Sequence, residues 1–236
     1  MSDPKAAFVL AAGFGTRMRP LTLTTPKPLL RVGGRALIDH ALDACAAAGV
    51  ARAVVNLHHL GDAIRAHLAD RAAPEIAFSE ERPDILDTGG GAAAALPLLG
   101  PDPFFTVNSD AIWTGPAPLP ALAACWAPDR MDALLSLVPR ASAIAYGRPG
   151  DFSLGADGRP ARRGEAAQAP LVYTGAQIMA PAAFAGAPEG AFSMNLIWDR
   201  LLARGRLFAV VHRGGWVDVG TPEGLAAADA ALAGAA

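Results

Sequence analysis

The sequence predicts an α/β fold, a doubly wound and mostly parallel sheet with helices on both faces. Three observations point there. Short apolar-centred runs at 6–12, 53–57, 75–79 and 104–107 read as buried strands. Between them Leu37, Ile38, Ala41, Leu42 and Cys45 recur at helical spacing up to Gly49, and Ile64 and Leu68 mark a second, shorter helix. Strands alternating with helices build parallel sheets through right-handed crossovers.

The first strand opens into a glycine loop, Gly13-Phe14-Gly15, followed by Thr16, Arg17, Met18, Arg19 and then Pro26-Lys27-Pro28. Glycines there let backbone N–H groups approach a ligand closely. With the cations behind them, Ala11, Ala12, Gly13, Gly15 and Thr16 form a candidate cradle for a polyphosphate. A dinucleotide fingerprint is excluded, because its third glycine position holds Met18. A Walker A loop is excluded as well, because no Gly-Lys-Ser/Thr follows. Lys27 stands out on its own. The chain has 20 Lys+Arg, yet only Lys5 and Lys27 are lysines, and Lys5 sits near the terminus. A compact ammonium is not interchangeable with a guanidinium fork, so Lys27 is a candidate for direct contact with a reacting group.

The string LAAGFGTRMRPLT followed by PKPLL resembles the N-terminal signature of the sugar-1-phosphate nucleotidylyltransferases, the nucleoside-diphosphate-sugar pyrophosphorylases. The resemblance extends in motif order over essentially the whole chain. It implies a Rossmann-like, GT-A-like nucleotide-diphospho-sugar transferase fold in a single domain spanning 1–236, with a small antiparallel sugar-binding part and no C-terminal β-helix domain. It further implies Arg17 and Lys27 as catalytic residues. Among short members of the family the chain is most similar to the uridylyltransferases acting on N-acetylmuramate-1-phosphate in cell-wall sugar recycling. The substrates this implies are UTP and that sugar phosphate. Glucose-1-phosphate with dTTP or UTP, mannose-1-phosphate with GTP, and a non-catalytic nucleotide-sugar-binding subunit are the alternatives.

Residues 80–91 are expected to form a loop into an Ala-rich helix at 92–99. In the resembled family this loop meets the nucleotide base through backbone atoms, which assigns Thr88, Gly89 and Gly90 to nucleotide binding. Many relatives read a pyrimidine with an upstream glutamine, and here Glu80 and Glu81 stand in that region. The strand at 104–107 delivers Asn108-Ser109-Asp110 at its carboxyl end, where ligands bind in open α/β sheets. Asp110 is a candidate Mg²⁺ ligand, since that ion typically takes one or two carboxylates plus phosphate oxygens and water.

A helix near 119–126 and a strand at 133–138 follow. The stretch 139–170 shows little pattern beyond a short strand at 151–154 and a hairpin turn at Asp157-Gly158. The resemblance places sugar recognition there and gives Asn108, Asp151, Glu165, Arg148 and Gly175 as candidates. A lactyl carboxylate on the sugar would call for a cation, and Arg148, Arg162 and Arg163 are available. A strand at 171–179, a helix at 194–202 and a strand at 207–211 lead to Gly215-Trp216-Val217-Asp218-Val219-Gly220. An aspartate alternating with valines is costly to bury unpaired, and a metal would compensate it. The family's W-x-D-x-G string makes Asp218 the second Mg²⁺ ligand. Thr221 as N-cap and Pro222 at the first helical position start a last helix.

Composition bounds the rest. The chain has 236 residues, 52% hydrophobic, with a net charge of −2. No basic footprint for nucleic acid appears, no apolar run is long enough for a membrane span, and no leader pattern opens the chain. Cys45 and Cys125, both in Ala/Leu-rich surroundings, read as buried small hydrophobes of a cytoplasmic protein. His58 and His59 are adjacent, which is not a metal-site spacing, and read as loop or surface groups. A monomer or small homo-oligomer is expected.

Overall fold

The computed structural model describes residues 3–234. Its centre is a mixed sheet. Six strands run parallel: β1 (Ala6–Leu10), β4 (Arg52–Leu57), β5 (Glu75–Glu80), β6 (Phe104–Asn108), β8 (Ala133–Pro139) and β13 (Leu207–Val211). The long β12 (Leu171–Met179) runs antiparallel between β6 and β8. The spatial order is β13-β8-β12-β6-β1-β4-β5. A hairpin of β10 (Phe152–Leu154) and β11 (Pro160–Arg162) hangs from the start of β12.

The strands read as near-continuous apolar runs because both sheet faces are covered. Alternate residues go to opposite cores. Ala7, Val9, Phe105 and Val107 join α1 (Leu37–Ala47), α2 (Gly61–His67) and α4 (Pro118–Cys125) on one face. Phe8, Phe104, Leu135 and Leu137 join α3 (Asp87–Leu99) and α5 (Met194–Ala203) on the other. The expected fold class and element order are therefore present, with two shifts. β1 ends at Leu10 rather than 12, because the Ala11 N–H leaves the ladder for the Asn56 side chain at 2.6 Å. The helix expected from 92 begins at Asp87 and takes in Gly89, Gly90 and Gly91. Glycine is a poor helix former, but close packing of that first turn overrides propensity.

A smaller sheet completes the architecture. The strand β14 (Gly215–Asp218) pairs antiparallel with β7 (Ala111–Thr114) and parallel with β9 (Ala143–Ile144). The last helix, α6 (Pro222–Ala233), starts where expected, with the Thr221 hydroxyl accepting from the Gly224 N–H. A two-strand ribbon of β2 (Arg31–Val32) and β3 (Arg35–Ala36) lies beside it. Between them is a third apolar core of Met18, Leu30, Val32, Leu37, Val217, Val219 and Ala228. This core ties the glycine loop, through Met18, to the strand that carries Asp218. Met18 is fully buried, so the residue that breaks the dinucleotide pattern serves as an anchor.

Why α3 needs its glycines is geometric. A Cβ on Gly90 would lie 2.3 Å from the Gly190 carbonyl oxygen, and one on Gly89 would lie 2.5 Å from the Phe192 ring. Backbone cannot yield as a flexible side chain does. Gly90→Ala should therefore destabilise the fold by about 1–3 kcal/mol, an overpacking cost. A urea unfolding midpoint equal to wild type would contradict this.

Candidate active site

The carboxyl ends of four parallel strands converge on one edge and bring polar groups there. The Ala11 N–H follows β1, Asn56 is the penultimate residue of β4, Glu81 follows β5, and Asn108 ends β6. A cavity of about 350 Å³ opens there. Of the predicted nucleotide-binding residues, Ala11, Ala12, Gly13, Gly15, Thr16, Arg17, Lys27 and Thr88 line it.

The glycine loop is built for this position. Gly15 has φ +61°, the left-handed region, and a Cβ there would lie 2.9 Å from the Thr22 methyl. The Thr22 hydroxyl donates to the Gly15 carbonyl at 2.8 Å and locks the turn. A Cβ on Gly13 would meet nothing within 4 Å, and this exposed glycine lines the cavity. The Arg17 guanidinium lies on Gly220, where a Cβ would come within 2.7 Å of Nη1. The loop is braced from outside by the two histidines. The Phe14 ring sits 5.4 Å from both His58 and His59, while His58 pairs with the Glu81 carbonyl and His59 with the Thr22 carbonyl.

Gly89 and Gly90 do not join the cradle. Their N–H groups donate to the Phe192 carbonyl at 2.9 and 3.0 Å, so those donors are consumed within the protein. What sequence reasoning missed is the Asn56–Glu81 pair. Asn56 Nδ2 donates to Glu81 Oε1 at 2.6 Å, and the Leu86 N–H donates to Glu81 Oε2 at 2.8 Å. Glu81 is 1% exposed and Asn56 4% exposed, and both line the cavity. Gly91 leaves the room, since its Cβ would fall 2.5 Å from Glu81 Oε1. The available signal was position alone, polar residues at the carboxyl ends of two apolar strands.

The charged centre lies beside the loop. Pro26 precedes and Pro28 lies within a 3₁₀ turn at Lys27–Leu29 that presents Lys27, whose Nζ is 2.5 Å from Asp110 Oδ2. Strand pairing then delivers Asp218. Asp218 faces Ala111 across β14 and β7, and the Val219 N–H donates to the Asp110 carbonyl at 3.1 Å. Burial raises the Asp218 pKa above the ordinary carboxylate value, and the Asp110 charge adds to this. Arg148, Arg17 and Lys27 oppose it. Asp110, paired with Lys27, and Asp218, paired with Arg148 at 3.2 Å, are two neighbouring carboxylates of the kind a Mg²⁺ ion takes together with phosphate oxygens and water. Among the described residues no group of three or more His, Cys, Asp or Glu forms a self-sufficient metal cage.

A second cavity of about 360 Å³ adjoins the first and shares Leu10, Arg17, Asp87, Thr88, Asn108 and Asp110 with it. Asp151 and Gly175 line it together with Asn108. Asp151 Oδ2 accepts from the Tyr173 N–H at 2.9 Å, and Oδ1 accepts from the Tyr146 hydroxyl at 3.3 Å. Gly175, at φ +85°, makes room for Asn108, whose Cβ would be 2.8 Å from an added methyl. That neighbour explains the glycine without a sugar ring. The floor is a buried polar chain: Trp198 Nε1 donates to Gln177, and Gln177 Nε2 donates to Thr106. Glu165 is not brought to either cavity: it sits exposed in the turn after β11, because that turn runs into solvent before β12 begins. Arg163 likewise turns away, to the Ala166 carbonyl. The cysteines divide. Cys45 is buried, its thiol pushed up to about 12 by desolvation, whereas Cys125 is exposed at the end of α4, contrary to expectation.

Asn56 takes part in both walls of this account through the Ala11 and Glu81 contacts, which makes it a sensitive position. Asn56→Ala would leave the buried Glu81 carboxylate and the Ala11 N–H each short of a partner. The expected cost is about 1–3 kcal/mol for such an unsatisfied buried group, read from thermal or urea unfolding. No loss of stability would show that the pair does not support the cavity wall.

Comparison with known proteins agrees with this geometry. Residues 7–186 match the model of the MobA-like NTP transferase domain. The chain is 47% identical over 236 residues to an N-acetylmuramate alpha-1-phosphate uridylyltransferase of Caulobacter vibrioides, covering 98% of each chain. It is 39% identical over 220 residues to the protein of that name from Neisseria meningitidis serogroup B, covering 91% of this chain and 93% of the relative. Among solved structures, a UDP-glucose pyrophosphorylase complexed with UDP-glucose shares the fold at TM-score 0.77 and 18% identity, covering 98% of each chain. A glycine loop lining a cavity at the sheet edge, an adjoining polar cavity and these likenesses lead to one conclusion: the chain belongs to the MobA-like NTP transferase family.

Proposed function

We propose that this enzyme transfers UMP from UTP to N-acetylmuramate α-1-phosphate, giving UDP-N-acetylmuramate and pyrophosphate, in the cytoplasm and in the service of peptidoglycan sugar recycling. The observation that carries the reading is the placement of Lys27, Asp110 and Asp218 where the two cavities meet. The close relatives' names supply the sugar and the base.

The attacking group is a sugar phosphate oxygen, already ionised near neutral pH, so the chain needs no general base. The difficulty is bringing two polyanions together. Catalysis then consists of positioning and charge neutralisation in an in-line displacement at the α-phosphorus. The backbone at Gly13 and the Arg17 guanidinium hold the β- and γ-phosphates, the leaving group. Lys27 turns from Asp110 toward the α-phosphate and the incoming phosphate. Asp110 and Asp218 would hold Mg²⁺, which supplies charge neutralisation between the reacting phosphates. Asn108 and Asp151 orient the sugar from the second cavity.

The assay is pyrophosphate release, crossing UTP, dTTP, GTP and CTP against sugar-1-phosphates that include the muramyl sugar. Release with UTP and the muramyl sugar is expected. Preferred release with glucose- or mannose-1-phosphate would keep the chemistry and overturn the substrate. Removing divalent metal with EDTA should abolish release, and added Mg²⁺ should restore it. Lys27→Ala and Asp110→Ala should each lower turnover roughly 100-fold or more, the scale of one lost transition-state contact. Lys27→Arg should fail as well, since a fork cannot replace a point charge in a site built around it. Full activity in Lys27→Arg would remove the argument for the lysine.

A further inference from the structure

The second cavity is lined by three arginines, and they are not equivalent. Arg17 belongs to the phosphate side, packed on Gly220. Arg162 is a brace. Its Nε donates to Asp199 at 2.9 Å, Nη1 to the Asn195 side chain at 2.9 Å and Nη2 to the Asn195 carbonyl at 3.2 Å, while the guanidinium lies 5.0 Å from the centre of the Phe152 ring and 5.3 Å from that of Trp198. A guanidinium has five N–H donors, and own-chain partners account for most of those on Arg162.

Arg148 is different. Its one hydrogen-bond acceptor among the described residues is Asp218, 3.2 Å from Nη2. Its side chain is 58% exposed, against 12% for that of Asp218. Yet it is not loose. The guanidinium lies 4.7 Å from the centre of the Tyr146 ring. Tyr146 packs on Trp216 at 5.9 Å and donates its hydroxyl to Asp151. The Arg148 carbonyl accepts from Arg140 Nε at 3.0 Å. The cation is thus held at the cavity wall with most of its donors uncommitted.

We propose that Arg148 is the specificity-determining residue for the sugar, taking a carboxylate carried on the sugar ring. This rests on the proposed reading of the reaction and goes further by naming the group that recognises the lactyl ether. Asp218 would hold the Mg²⁺ that neutralises phosphate charge, and its contact with Arg148 uses one of five guanidinium donors, so the others are free for a second acceptor. The phosphate oxygens already have Lys27, Arg17 and the cation. The anion left over in this substrate is the carboxylate, and a guanidinium fork binds a carboxylate with two parallel bonds.

The test uses two sugars that differ by the lactyl ether alone, N-acetylmuramate α-1-phosphate and N-acetylglucosamine α-1-phosphate, each with UTP. The readout is the ratio of their kcat/KM values in wild type, Arg148→Ala and Arg148→Lys. Arg148→Ala should lower the ratio by roughly 10- to 100-fold, the range for losing a hydrogen bond to a charged group. Most of that change should appear in KM for the muramyl sugar. Arg148→Lys should recover part of the preference. An equal loss on both sugars would mean that Arg148 serves the phosphates or supports Asp218, and would overturn the proposal, as would an unchanged ratio. Wild type inactive on both sugars would overturn the proposed reaction itself, and this assignment with it. Circular dichroism on the variants checks that the exposed position has not altered the fold.

Discussion

The Lys27–Asp110 ion pair is the contact on which the rest of the site depends. The Lys27 side chain is 13% exposed and that of Asp110 31%, so the pair is partly withdrawn from water and holds only with good geometry. Pro26 and Pro28 fix the lysine's turn. Asp110 is fixed by the end of β6, where the Ser109 hydroxyl donates to the Leu10 carbonyl at 2.6 Å. Breaking either partner would leave an uncompensated charge at the meeting point of two cavities. The pair is therefore a poor device for stability, and in the proposed reaction an incoming phosphate and its cation would exchange partners with both members.

Around that pair the fold works as a convergence of strand ends. The parallel strands bring Ala11, Asn56, Glu81 and Asn108 to one edge, and the antiparallel β12 turns the sheet's other half into the wall of the second cavity. The small sheet and α6 supply what the large sheet cannot, a fourth side carrying Asp218. Their shared core with Met18 couples the phosphate loop to the second carboxylate, so a change at either should be felt at the other.

The parts that sequence made legible are those whose chemistry is local. Gly15 shows a needed left-handed turn, Lys27 between prolines shows a fixed cation, and Asp218 among valines shows a carboxylate that wants compensation. Contacts between distant segments were not legible. Three glycines in a row read as a loop for a ligand, while their partners were Phe192, Gly190 and Glu81, far along the chain or hidden behind it. Gly175 read the same way and answered to Asn108. Glu165 looked as suitable as Asp151 because nothing local says which carboxylate a turn will send into solvent. Glu81 was noticed for its charge, and only the fold shows it buried against Asn56.

The most direct test of the central claim is a double-mutant cycle on kcat/KM with Lys27→Met, Asp110→Asn and the pair combined. If both residues act on the same transition-state charge, the double variant should lose far less than the product of the two single losses, because groups that act as a unit are not additive. Losses that multiply, with all three variants folded, would show that lysine and aspartate work independently and would contradict the account.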